Sequence, residues 1–220
     1  MSYDLYLRDP ATHEELQVPA HMMHGGNIPC EVINGQFIPT TTTRAYLNVT
    51  YNYAHYYYEA FPSPEDENTS VQYKKDAQTF GIVSLEGGIR SLNGLSGLKA
   101  VPLLHEMINR IEKKYKKPDG TWLVTKREEP YVYEKSTGKK LDSMAIWNAY
   151  SKYSHLGYSH DEAERLTNEQ YEQRTEIVEV NEGSNGGSYW TSTAANAIRP
   201  LYQLITLSQM RPDGIWSEES

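Results

Sequence analysis

The residues of this 220-residue chain that could carry conventional chemistry are seven histidines, one cysteine and scattered carboxylates. His21 and His24 stand three apart in the run His21-Met22-Met23-His24-Gly25-Gly26-Asn27. A metal site needs one or two further ligands, and this loop offers only Asn27 and Cys30, so hydrogen-bonded loop histidines are expected and no metal. His160 and Glu164 fall four apart, which on a helix places them on one face. A solvated pair is the simpler expectation there than a general acid–base centre. The chain has no phosphate-cradling glycine loop with its lysine, no dinucleotide fingerprint and no Gly-x-Ser-x-Gly elbow. No cofactor is implied. Asn48-Val49-Thr50 fits a glycosylation sequon, which has no meaning in a cytoplasmic protein.

Composition narrows the classes further. Cys30 is the only cysteine, which excludes an internal disulfide and a cysteine-rich zinc site. A net charge of -8 argues against nucleic acid as the main partner, because phosphate backbones are held by clustered cations. The same charge allows an acidic inhibitor that imitates nucleic acid. No run approaches the roughly 20 apolar residues of a membrane helix, and Met1-Ser2-Tyr3-Asp4 does not begin a signal peptide, so a cytoplasmic protein without a membrane partner is expected. Tyrosine outnumbers phenylalanine 18 to 3. Aromatic rings carrying a hydroxyl suit half-wet surfaces and binding sites.

These residues must be positioned by a small set of elements. Tyr3, Leu5 and Leu7 alternate with polar neighbours, an amphipathic strand closed by Asp9-Pro10, and Glu14 to Val18 reads as a second short strand. Asn34-Gly35 between Cys30–Ile33 and Gln36–Thr40 is a strong hairpin signal, because both central residues must take positive φ. Ala45 to Tyr53 reads as a strand with Leu47, Val49, Tyr51 and Tyr53 on one face and Asn48, Thr50 and Asn52 on the other. The aromatic run 54–61 is expected to be helical, and 62–70 an exposed acidic loop. Glycines at 81, 87, 88, 94 and 97 imply a shaped loop around Ile89-Arg90-Ser91-Leu92-Asn93.

Two longer helices follow from 3.6-residue spacing. Ser96 caps one whose stripe is Leu98, Val101, Leu104, His105, Ile108 and Ile111, ending in lysines where the helix dipole favours cations. Thr191 or Thr193 caps the other, with Ala194, Ala197, Ile198, Leu201, Leu204, Ile205 and Ser208 on one stripe. Pro200 would remove one backbone bond of that helix, a cost of roughly 3 kcal/mol unless compensated. Pro212-Asp213-Gly214 ends it, and Trp216 can fold back onto it. Lys117-Pro118-Asp119-Gly120-Thr121-Trp122 echoes Arg211-Pro212-Asp213-Gly214-Ile215-Trp216, which reads as a shared stop signal rather than a duplication.

Residues 116–187 read differently, with strand-like stretches at Trp122–Lys126 and Pro130–Lys135, a helix from Asp142 or Ser143, a second from Ser159, and a strand at Ile177–Val180. The expectation is α+β: an antiparallel sheet from the first 60 residues with helices near 97–115 and 192–211 packed on it, forming a core of 1–115 and 188–220. An inserted small α+β lobe occupies 116–187. Trp147, Tyr150, Tyr153 and Tyr158 are that lobe's candidate contacts.

Ser2-Tyr3-Asp4-Leu5-Tyr6-Leu7, His24-Gly25-Gly26, Leu47 to Tyr53, Gly88-Ile89-Arg90 and Tyr189-Trp190-x-x-Thr193-x-x-Asn196-Ala197 together resemble a family of small uncharacterised phage and bacterial proteins. The acidic loop and the 116–187 block depart from that pattern. The resemblance implies a phage setting and no mechanism. Within the matching segments stands a polar, aromatic set: His24, Asn52, Tyr53, Arg90, Asn93, Trp190, Thr193 and Asn196. Asn and Arg recognise planar polar groups or anions by paired hydrogen bonds, and Trp and Tyr offer stacking faces. Helix capping, core packing and loop bracing are their structural alternatives. The leading functional reading is an accessory protein that binds a host protein or a small polar ligand, such as a nucleotide signal, to blunt a defence. An enzyme with a dispersed site around His24, His55 and Arg90 is the second, and a structural virion component the third.

Overall fold

The computed structural model describes residues 2–20, 30–64, 70–142, 144–184 and 189–219. Among them the elements run β1 (Ser2–Arg8), β2 (Gln17–Pro19), β3 (Cys30–Ile33), β4 (Gln36–Pro39), β5 (Thr42–Arg44), β6 (Tyr46–Thr50), α1 (Ala54–Ala60) and α2 (Ser70–Phe80). They continue with α3 (Gly97–Tyr115), β7 (Val124–Glu134), β8 (Lys139–Leu141), α4 (Met144–His155), α5 (His160–Gln170), β9 (Tyr171–Asn181), α6 (Ala194–Met210) and β10 (Ile215–Glu219). The fold is α+β, and all strand pairs are antiparallel. The chain divides into two compact units, Met1–Leu123 with Glu182–Ser220, and Val124–Asn181. The joints lie inside 116 and 187 because Lys116 to Leu123 turn back on the end of α3. The Leu123 amide donates to the Tyr115 carbonyl at 2.9 Å, and Lys116 Nζ sits 4.5 Å from the Trp122 ring centre.

In the first unit β1 is the middle strand of three, between β10 and β6. Its alternation sends Tyr3, Leu5 and Leu7 into the core, opposite α3 and α6 residues such as Leu104, Met107, Leu201 and Leu204. Both helices form over the expected residues, but the buried face of α3 is Ala100, Leu103, Leu104, Met107, Ile108 and Ile111, while Leu98 and His105 of the expected stripe are exposed. Ser96 accepts from the Lys99 amide and Thr193 from the Asn196 amide, satisfying orphan donors of the first turn. Pro102 and Pro200 lie inside their helices, which continue through them; Pro200 is buried among the packed side chains of α6. The helix starts and stops also interlock. A Cβ at Gly97 would lie 2.4 Å from the Arg211 carbonyl oxygen, so only glycine lets α3 begin against the end of α6. The two Pro-Asp-Gly segments make the same turn, with Gly120 donating to the Lys117 carbonyl and Gly214 to that of Arg211.

Four features differ from the sequence expectation: the sheet, the strand at 215–219, the end of β6 and the presence of α2. The N-terminal strands do not make one sheet: β2 pairs only with β5, β3 only with β4, and the place beside β1 is taken by β10 from the other end of the chain. Trp216 does fold back on α6, its indole donating to Ser208 Oγ at 3.0 Å, and it does so from a strand. The strand expected to reach Tyr53 stops at Thr50, whose hydroxyl accepts from the Asn52 amide and starts a 3-10 turn that runs into α1. The supposed polar stripe is thereby divided: Asn48 bonds to Ser2 and Asp4 on β1, and Thr50 is buried. Helix α2 lacks an apolar stripe; it buries Tyr73 and Asp76, the latter held by both terminal nitrogens of Arg110 at 2.7 Å. In the β3–β4 hairpin Asn34 and Gly35 take φ of 52° and 78°, and all strand residues are exposed.

In the second unit β7 lies between β8 and β9 and pairs with β9 along its length, from Val124↔Asn181 to Glu134↔Tyr171. The two short stretches expected before residue 136 are one strand running through Pro130. β8 reaches only Val132 to Glu134, so at Pro130 the far side of β7 is an edge, where a missing amide breaks no ladder. Asp142 accepts from the Met144 amide at the start of α4, and Ser159 and Glu162 form a reciprocal capping box on α5. Only Val132, Ala163 and Thr167 are buried in this unit among the described residues. A fully buried Val-sized side chain contributes roughly 1.5–3 kcal/mol, so the β7–β9 ladder and the helix caps carry much of the lobe's order.

Candidate functional site

His24 lies outside the described residues. The other seven members of the polar set are engaged within the first unit. Asn52 Nδ2 donates to the Trp190 carbonyl at 2.8 Å, and Ser192 Oγ returns a bond to the Asn52 carbonyl at 2.7 Å. The Tyr53 hydroxyl donates to the Tyr189 carbonyl. Thr193 caps α6 and donates to the Ser184 carbonyl at 2.8 Å, and buried Asn196 donates to the Thr191 carbonyl at 3.0 Å. Asn52, Tyr53 and the Trp190 carbonyl therefore fasten the segment before α6 to the 3-10 turn after β6, while Thr193 and Asn196 brace that segment itself. Trp190 itself is 59% exposed, not a core residue.

Arg90 and Asn93 fasten the chain end instead. Arg90 pairs with Glu218 at 3.2 Å and Glu86 at 3.4 Å, donates to the Tyr51 hydroxyl, and lies over the Tyr3 ring. Asn93 Oδ1 accepts from the Glu218 amide at 2.7 Å. These contacts are latches of tertiary structure. Burial pushes the phenols of Tyr53 and Tyr57 well above the usual tyrosine value, so they stay protonated donors. Among the described residues no three His, Cys, Asp or Glu side chains gather in a way that could hold a metal.

The second unit presents a pocket of about 400 Å³ between α4, α5 and the end of the sheet. Its bottom is made by Val132 and Thr167, both buried, with half-buried Ile146. Trp147 and Tyr150 provide aromatic faces, and Glu164, Asn168 and Gln173 stand exposed at the rim. His160 lines it as well, its Nδ1 2.8 Å from the Tyr150 hydroxyl, a bond that fixes the Tyr150 ring. A second hollow of about 340 Å³ lies on the other flank of α4, against Lys152, Tyr153 and Gln170.

The character of α4 follows from those two hollows. It carries Met144, Ile146, Trp147, Tyr150 and Tyr153, yet none of its residues is buried, and Trp147 is 61% exposed. Exposed Trp147 and Met144, beside the half-buried Tyr150 and Tyr153, are of the residue types enriched at protein interfaces. The pocket has no lysine or arginine in its lining, and its one carboxylate, Glu164, makes no ion pair among the described residues. The Tyr150 hydroxyl bonded to His160 is a hydroxyl–imidazole pair within the lining, and the aromatic faces, side-chain amides and carboxylate around it suit recognition by stacking, burial and hydrogen bonding.

Sequence reasoning named Trp147 and Tyr150 as lobe contacts and His160 with Glu164 as a helical pair, but not the site that unites them. Val132, Ile146, Thr167, Asn168 and Gln173 carried no signal, because their convergence depends on the β7–β9 register bringing Gln173 opposite Val132. Comparison with protein-family models, curated proteins and solved structures finds no match to this chain.

Proposed function

We propose that this is a non-enzymatic accessory protein of phage type that acts by binding, with the pocket and α4 of the lobe as the binding element. The observation that carries this reading is Trp147, a large apolar side chain left in water at the mouth of a pocket, on a helix none of whose residues is fully buried. Exposed aromatic surface of this kind favours a partner that covers it. The motif resemblance supplies the phage setting, and the partner is a host protein or a small polar ligand. The polar set around Asn52, Arg90 and Trp190 then serves to hold the core that displays the lobe.

The test is native mass spectrometry of the protein purified from phage-infected cells, in the original form and as Trp147→Ala. A stoichiometric companion, protein or small molecule, carried by the original form and lost from the variant supports the reading. A companion retained by Trp147→Ala, or turnover of the companion into a product, contradicts it.

A further inference from the structure

Resting on the binding reading above, we infer that the lobe pocket receives a cationic side chain, arginine ahead of lysine, presented by a partner polypeptide. The charge balance of the site points this way. Most neighbouring carboxylates are engaged, Glu162 with Ser159, Glu169 with Arg165, Glu172 with Arg174 and Glu176 with Lys140, and Asp161, in the first turn of α5, is not part of the pocket lining. Glu164 alone among these acids stands at the pocket rim with no counter-ion among the described residues. With no lysine or arginine lining the pocket, a phosphate or carboxylate would find no fixed counter-charge there and would be repelled by Glu164.

The aromatic lining suits the same guest. A guanidinium is attracted to the face of Trp or Tyr, and Trp is the better of the two. The lobe already uses this contact elsewhere: Arg174 lies 4.0 Å from the Tyr133 ring centre and Lys140 4.8 Å from that of Tyr131. Trp147 makes no such contact among the described residues. The side-chain amides of Asn168 and Gln173 make no hydrogen bond among those residues, so their oxygens can accept from a planar donor fork while Glu164 takes the charge. A polypeptide source is favoured over a free amine by Met144, exposed next to Trp147 on α4 and outside the pocket lining, which a small cation would leave in water.

The probe is the pentapeptide Ac-Gly-Gly-Arg-Gly-Gly-NH2, titrated into the full-length protein while the Trp147 indole resonance, assigned with Trp147→Phe, is followed by NMR. The norleucine and lysine versions of the peptide, n-butylguanidinium and AMP are titrated in parallel. The arginine peptide is expected to shift the indole saturably, more tightly than the lysine peptide and n-butylguanidinium. Glu164→Gln, with its circular dichroism unchanged, is expected to weaken it about tenfold or more, the loss of one charge-assisted bond. Equal binding of the norleucine peptide, or unchanged affinity in Glu164→Gln, would overturn the cation assignment. Tighter binding of n-butylguanidinium than of the peptide would overturn the polypeptide source, and preference for AMP would overturn both. If none of the probes shifts the indole, the inference fails, and the binding reading is still judged separately by whether a companion depends on Trp147.

Discussion

The hydroxyl of Tyr56 donates to Oε2 of Glu182 at 2.6 Å, and the same oxygen accepts the amide of Ala194 at 2.8 Å. One buried carboxylate thus ties α1 to the first turn of α6, at the residue where the chain re-enters the core. Tyr56→Phe removes a donor from a buried charge and is expected to cost roughly 1.5–3 kcal/mol. Urea denaturation should show a lowered midpoint with an unchanged slope.

The Arg110 guanidinium spans Asp76 and Glu106, and Asp76 is 2% exposed. Removing one partner of a buried pair leaves the other uncompensated, so Arg110→Met should destabilise the first unit by about 3 kcal/mol. Asp76→Asn combined with Arg110→Met should recover part of that loss. The equilibrium stabilities of the two single variants and the double variant check this by a double-mutant cycle.

High pH should unfold the protein earlier than its charge alone suggests. Burial raises the phenols of Tyr3, Tyr53 and Tyr57, and those of Tyr46 and Tyr189 are pushed up to about 12. Their neutral forms are favoured in the folded state, so their contribution is complete below about pH 10, the unfolded tyrosine value. Above it the unfolded chain ionises first, binds fewer protons than the folded one, and stability falls by about 1.4 kcal/mol per pH unit for each such tyrosine. Tyrosinate absorbance from these residues should appear together with loss of helix signal, and separate titration of the two would contradict the prediction.

The pairing Val124↔Asn181 brings the two ends of the lobe side by side, at the roughly 5 Å spacing of an antiparallel pair. Replacing 125–180 by Asn-Gly should therefore close a short hairpin and leave a first unit that unfolds cooperatively. Calorimetry of that deletion should give a single transition, whereas a broad or missing one would show that the core needs the lobe.

The helices of the core were legible because capping residues and a 3.6-residue stripe coincide at Ser96–Tyr115 and Thr193–Met210. The hairpin at Asn34-Gly35 was legible because few sequences tolerate two positive φ values in succession. The sheet was not, since β10 is a short strand ending in acids, recognisable only once Leu7 faces Trp216. Helix α2 was missed because it buries only Tyr73 and an aspartate, Asp76, whose partner lies 34 positions away. The polar set stands out as polar and aromatic residues, a pattern that does not separate a side chain bonding a ligand from one bonding the chain's own carbonyls. Trp147, Tyr150, His160 and Glu164 stood out singly, but the pocket they share did not, because it is completed from β7 and β9, whose register only the folded lobe defines.

Hydrogen–deuterium exchange of the full chain with and without its co-purified companion locates the contact directly. Binding through the lobe predicts added protection over Met144–His155 and the rim of α5, with the 189–196 segment unchanged. Protection over 189–196 and around Arg90, with α4 exchanging as before, would place the partner on the core and contradict the lobe as the binding element.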